Sequence, residues 1–160
     1  MIITDVLDFT YKDKLLSRKD TFSTNSMPVI YFTIIGPNDT CIYEVGRVDN
    51  ANESFQLMRH FMTHSSLDMI EEAMWTKADF YLTKTDKIDD RYYVSAFVGY
   101  SPVKLLLLED QEPLSHVRPF FIDAHELVVK YILNPFASAT QPVKMREFDD
   151  RMTQIFNRYF

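Results

Sequence analysis

Two histidines and an aspartate, His60, His64 and Asp68, stand at i, i+4 and i+8. On a helix those spacings point the three side chains the same way, and imidazole with carboxylate is a donor set that zinc accepts. The zinc-protease pattern H-E-x-x-H is not met, because Phe61 occupies the glutamate position and no general base is offered. Cys41 has no accompanying His and Asn arrangement in the sequence, so it is expected to be a packing residue. Asp123, His125 and Glu126 carry acid–base types, but adjacent helical positions point in different directions, so His125 is expected to be a satisfied structural histidine. The aromatic residues Phe120, Phe121 and Tyr131 read as core or interface.

These side chains depend on the elements that hold them. The first 26 residues mix charges with isolated apolar residues and end in the polar run Ser23 to Ser26, which reads as an arm or linker. From Met27 to Phe160 the text is that of one folded domain. Val29 to Ile35 is almost continuous in strand formers, Gly36 to Asp39 is a turn cluster, and Thr40 to Val48 is the returning strand. The stretch from Glu53 to Trp75 lacks Gly and Pro, has Asn50 and Asn52 as possible N-caps, and predicts one long helix. Phe80 to Thr85, Tyr92 to Gly99 and Val103 to Glu109 predict a three-stranded meander, turned at Asp89-Asp90 and at Tyr100-Ser101-Pro102. Pro113 can initiate a second helix that stops at Asn134-Pro135, and Glu147 to Phe160 predicts a third.

Strands buried on both faces read as continuous apolar runs. Only Val29 to Ile35 and Leu105 to Leu108 do so, which makes them central neighbours and predicts the strand order 2-1-5-4-3, with Phe80 to Thr85 at an edge. One helix on one face and two on the other complete an α+β, longin-like (profilin-like) largely antiparallel architecture. On the first helix Phe55, Met58, Met62, Ser65, Ser66, Met69 and Ala73 share the side expected to face the sheet, the two serines letting the backbone come close, with a hydrogen-bonding role as the alternative reading. The opposite arc holds His60, His64, Asp68, Glu71 and Glu72 interleaved with Leu57, Phe61 and Trp75. It reads as a solvated acidic surface, as a metal site or as a protein-binding face.

Composition narrows the function classes. With 17 basic against 23 acidic residues the net charge of -6 opposes a phosphate backbone, so nucleic acid is not an expected partner. No apolar run approaches the roughly 20 residues that span a bilayer, and Asp5 and Asp8 break the pattern of a signal peptide. A lone cysteine fits a reducing compartment, which leaves the sequons at Asn38 and Asn52 unused. Three glycines, Gly36, Gly46 and Gly99, cannot build a P-loop or a dinucleotide turn. No cofactor is expected.

The ordered residues Ile35-Gly36, Asp39 and Tyr43-Glu44 are followed by His64-Ser65-Ser66-Leu67-Asp68, Glu71, Glu72 and Trp75. Further along come Tyr81-Leu82, Asp86-Lys87, Val94-Ser95-Ala96-Phe97, Phe121, His125-Glu126-Leu127, Lys130, Asn134-Pro135-Phe136 and Phe148-Asp149. In order and spacing this series resembles the sedlin family of TRAPP (transport protein particle) subunits from Met27 onward. Cys41 stands where that family often has proline and Val128 where it often has tyrosine. Residues 1–26 precede the usual family start, either as an extension or because translation begins at Met27.

The resemblance implies a non-catalytic adaptor subunit of a vesicle-tethering complex. Its implied setting is transport between endoplasmic reticulum and Golgi, in the cytoplasm and at membranes reached only through the complex. The implied partners are other TRAPP subunits and, through them, a Rab GTPase. It also favours the protein-binding reading of the outer helical arc. The family's Leu-Asp pair places Asp68 at the attachment face, with His64, Glu71, Glu72, Phe61 and Trp75 around it. Two alternatives stand beside it: another longin-type trafficking part such as a clathrin-adaptor small chain, and a metal-dependent hydrolase built on His60, His64 and Asp68. A SNARE regulatory domain is disfavoured because no heptad segment follows.

Overall fold

The computed structural model describes residues 28–47 and 53–160. The elements are β1 (Ile30–Ile35), β2 (Cys41–Arg47), α1 (Glu53–Ser65), α2 (Leu67–Thr76), β3 (Tyr81–Ile88), β4 (Tyr92–Phe97), β5 (Lys104–Glu109), α3 (Val117–Ile132) and α4 (Arg146–Tyr159). The arm at residues 1–26, the strand end at Val48 and the caps at Asn50 and Asn52 lie outside the described residues.

The sheet runs β2-β1-β5-β4-β3, the order expected from the two continuous apolar runs. β1 is buried at every position and pairs antiparallel with β5 from Ile30↔Glu109 to Ile35↔Lys104. Between β1 and β2, Gly36 is required by a close approach: a Cβ there would meet the Ala139 carbonyl oxygen at 2.5 Å. At the far edge β3 continues to Ile88, past the expected Thr85, because the strand is bulged. Leu82 pairs with Ala96 and Asp86 with Val94, so Thr83 to Thr85 oppose Ser95 alone, and Lys84 takes a φ of 48°. Asp89 and Asp90, with φ of 54° and 56°, are the left-handed central residues of the turn, which the Arg91 N–H closes on the Ile88 carbonyl before Tyr92 pairs with Ile88.

Helices cover both faces. Phe55, Met62, Leu67 and Ile70 of α1 and α2 pack on Tyr31, Leu82, Val94, Leu106 and Leu108. On the other side Phe120, Phe121 and Val128 of α3, with Phe148, Met152 and Phe156 of α4, pack on Phe32, Ile34, Leu105 and Leu107. Phe120 stands edge-on to Phe32 and to Phe160, each 5.0 Å away between ring centres, and so joins sheet, α3 and the chain end. α3 starts at Val117, not near Pro113, after a turn closed by the Val117 N–H on the Leu114 carbonyl.

The first helix differs from expectation. It is two segments, interrupted at Ser66. The Ser65 and Ser66 hydroxyls each lie 2.9 Å from the Met62 carbonyl, which also accepts the Ser66 N–H. Such back-bonding competes for the carbonyl and bends a helix. Ser66 is fully buried, and its one hydroxyl proton is shared between Met62 and the Asp86 Oδ2, also at 2.9 Å. Ser66 is therefore a hydrogen-bonding residue and not merely a small one, while Ser65 is exposed. Beyond the bend the buried side rotates to Leu67 and Ile70, leaving Met69, expected against the sheet, 44% exposed. Ser66→Ala removes the side-chain bond from this bend to Asp86 of β3 and is expected to cost about 1–2 kcal/mol in denaturant unfolding.

Candidate protein interface

α1 is seated by Glu44 on β2. The carboxylate accepts from the Tyr31 hydroxyl at 2.5 Å and from Arg59 Nη2 at 3.0 Å, and lies 3.5 Å from His60 Nε2. Burial, then the bond to Glu44, raises the Tyr31 pKa, so the phenol stays a donor. α2 is seated by Lys104 at the start of β5, whose ammonium lies 3.1 Å from both Glu71 Oε1 and Asp39 Oδ1. Burial works against the Lys104 charge, but these two bonds outweigh it and its pKa is raised. Both contacts lock the sheetward flank of the helices and leave the outer flank turned to solvent.

The residues singled out from sequence divide accordingly. His60 is committed to Glu44 and stacks edge-on to Tyr31, with ring centres 6.3 Å apart. It does not converge with His64 and Asp68, and among the described residues no cluster of three such side chains is positioned to hold a metal ion. Glu71 is a tether to Lys104. His64, Asp68 and Glu72 are exposed without a hydrogen-bond or ion-pair partner among the described residues. Large apolar side chains stand beside them: Leu57 is 79% exposed, Phe61 56% and Trp75 91%.

Leu57, Phe61, His64, Asp68, Glu71 and Trp75 follow one another at intervals of four, three, four, three and four residues. Within each helix, Leu57, Phe61 and His64 on α1 and Asp68, Glu71 and Trp75 on α2, that alternation is the spacing by which one helix presents a seam to another, and the two stretches make one outer seam that bends at Ser66. Met69 and Met74, which the sequence reading did not place here, are also exposed and widen the apolar surface. Their signal was weak, since a methionine at helical spacing ordinarily marks the core. Exposed aromatic and leucine side chains around a few charges have the make-up of a contact patch, where tryptophan is a favoured anchor. Nothing in this arrangement activates a nucleophile or a water.

Elsewhere the chemistry-bearing residues are dispersed. Cys41 is exposed and not the buried packing residue expected. Its thiol nevertheless lies 3.2 Å from the Thr33 hydroxyl, and its pKa is raised chiefly by burial of the sulfur, which disfavours the reactive thiolate. Asp123 accepts from the Tyr159 hydroxyl at 2.7 Å and Glu126 pairs with Lys130 at 2.6 Å, while His125 turns to Phe97. His125 is not satisfied as expected: its Nε2 is buried with no partner.

The family model named Sedlin matches residues 34–158. The chain belongs to the sedlin family. It is 31% identical over 135 residues to the transport protein particle 20 kDa subunit of Schizosaccharomyces pombe, covering 81% of this chain and 97% of that protein. It is 27% identical over 138 residues to the probable trafficking protein particle complex subunit 2 of Drosophila melanogaster, covering 84% and 98%. The Saccharomyces cerevisiae trafficking protein particle complex subunit 20 is 25% identical over 172 aligned positions, covering 81% and 97%. In this sedlin-family chain the matched span contains Glu44, Arg59 and His60 of the first seating contact, all of the second, and the outer face of α1 and α2, while Tyr31 precedes it. Among the described residues no helix is long and apolar enough to cross a membrane.

Proposed function

We propose that this chain is an adaptor subunit of a transport protein particle complex, which it joins through the outer face of α1 and α2. The observation that carries the reading is its alignment with nearly the full length of relatives named as subunits of that particle. Residues 27–160 act as one docking unit, with residues 1–26 as an extension, and the chain itself performs no chemistry. Asp68 orients the partner while Phe61 and Trp75 supply contact area, and His64 and Glu72 complete the polar part. Glu71 belongs to the same face but contributes mainly by holding α2 to Lys104.

On this reading the chain works in the cytoplasm and at endoplasmic reticulum and Golgi membranes. Membrane contact is made by the assembled complex, which also acts on a Rab GTPase. The clathrin-adaptor and metal-hydrolase alternatives draw no comparable support. Affinity capture from native cytosol with the full chain tests the assignment. Recovery of other particle subunits is expected, and recovery of none would remove it.

A further inference from the structure

Just past the end of α3 the chain turns on Asn134-Pro135-Phe136, where the proline bars further helix. The turn is closed twice: the Ala137 N–H donates to the Asn134 carbonyl at 2.9 Å, and the Phe136 N–H donates to Asn134 Oδ1 at 3.0 Å. Phe136 keeps a negative φ, so the turn is type I, in which proline suits the second place. Both flanks are anchored, the Asn134 N–H on the Tyr131 carbonyl of α3 and the Val143 N–H on the Ile42 carbonyl of β2. Asn134 and Pro135 account for the stop, but Phe136 does not: it is 96% exposed, and its ring adds nothing to the core. A single apolar side chain in water is ordinary. This one projects from a fixed turn, with its sequence neighbours Leu133 and Pro135 also exposed. A backbone ordered before binding loses little freedom on docking.

We propose that this turn is a docking peg for a partner domain whose apolar pocket takes the Phe136 ring and whose rim accepts a hydrogen bond from the Asn134 amide. The Phe136 N–H needs an acceptor, so the Asn134 atom facing it is the oxygen, and the NH2 group is left without a hydrogen bond among the described residues. From Tyr131 to Val143 no residue is charged, and Lys130 is paired with Glu126. A tip that seeks a membrane carries basic side chains for anionic headgroups, whereas an uncharged peg with a ring and an amide suits a protein pocket. EH domains, small modules that bind Asn-Pro-Phe tripeptides, are the class of partner with that chemistry. The peg lies across the sheet from the α1–α2 face and does not rest on the reading of that face.

Calorimetric titration of a purified EH domain into the full chain tests it. Saturable binding is expected, little changed by added salt because no charged side chain takes part. Phe136→Ala, at an exposed position where the melting curve should not move, is expected to weaken binding about thirtyfold or more, as loss of an anchoring side chain does. Asn134→Asp keeps the oxygen that accepts from Phe136 and removes the amide donors, and should weaken binding about two- to twelvefold, the range one net hydrogen bond supplies. Should Asn134→Asp fail to fold, Phe136→Ala decides alone. No saturable binding, an affinity unchanged in Phe136→Ala or in a folded Asn134→Asp, or Phe136-dependent sedimentation with phosphatidylserine vesicles in place of domain binding would each overturn the proposal.

Discussion

Asp68→Ala is expected to weaken binding of the chain to its particle partner by about 2–5 kcal/mol, roughly thirtyfold to several thousandfold, with little change in its own melting temperature. The two halves of that expectation have separate causes. Within the chain Asp68 is exposed and has no partner among the described residues. It sits in the first turn of α2, where a carboxylate adds only about 0.3–1 kcal/mol through the helix dipole. In the complex, Phe61 and Trp75 on the same seam would exclude water from it, and a cationic partner group left unpaired by the mutation carries most of the cost. Trp75→Ala should lose about 2 kcal/mol or more, since its ring is almost wholly uncovered in the free chain and has everything to gain on docking. Calorimetric titration of the purified partner into wild type and both variants measures this. Equal affinities with equal stabilities would remove Asp68 and Trp75 from the interface.

Glu109→Gln is expected to stabilise the fold at alkaline pH. Glu109 ends the central strand β5, opposite Ile30 on one side and Tyr93 on the other, and is only 6% exposed. Its Oε2 has no partner. Burial, and secondarily the charge of Asp110, push its pKa up to about 7 from the ordinary 4.5. The folded state thus holds this proton more tightly than the unfolded chain, and stability falls as pH rises through that window. The contribution is fully present below pH 4.5 and is lost by about pH 7, a swing on the order of 3 kcal/mol. Glutamine cannot ionise, so the difference between variant and wild type should grow across that window and level off above it. Urea unfolding of both proteins from pH 5 to pH 8 gives that difference, in which titrating groups that do not interact with Glu109 cancel. A difference that stays flat with pH would show that Glu109 is solvated or paired.

The sheet was legible from sequence because strand position imprints composition directly. β1 and β5 have neighbours on both sides and helices on both faces, which is why both read as nearly continuous apolar runs, Leu105 to Leu108 without a break. The break at Ser66 was not legible, since it rests on two serine hydroxyls turning back to the Met62 carbonyl, a conformation that small residues permit but do not announce. Met69 was misplaced for the same reason: past the bend, Leu67 and Ile70 turn inward and the methionine turns out. Of the outer face, Leu57, Phe61, His64, Asp68, Glu72 and Trp75 were readable from helical spacing, but His60 and Glu71 were separated from them only by Glu44 and Lys104. His125 carried no sequence signal of being unpaired, because satisfaction is a property of its neighbours across the fold.

The docking face is tested most directly at Trp75, the single tryptophan of the chain. Hydroxyl-radical footprinting with mass spectrometry reads its oxidation rate in the free chain and in the assembled complex. The account predicts rapid oxidation of the free chain and a severalfold slower rate on assembly. An unchanged Trp75 rate in a complex shown to contain this chain would contradict it.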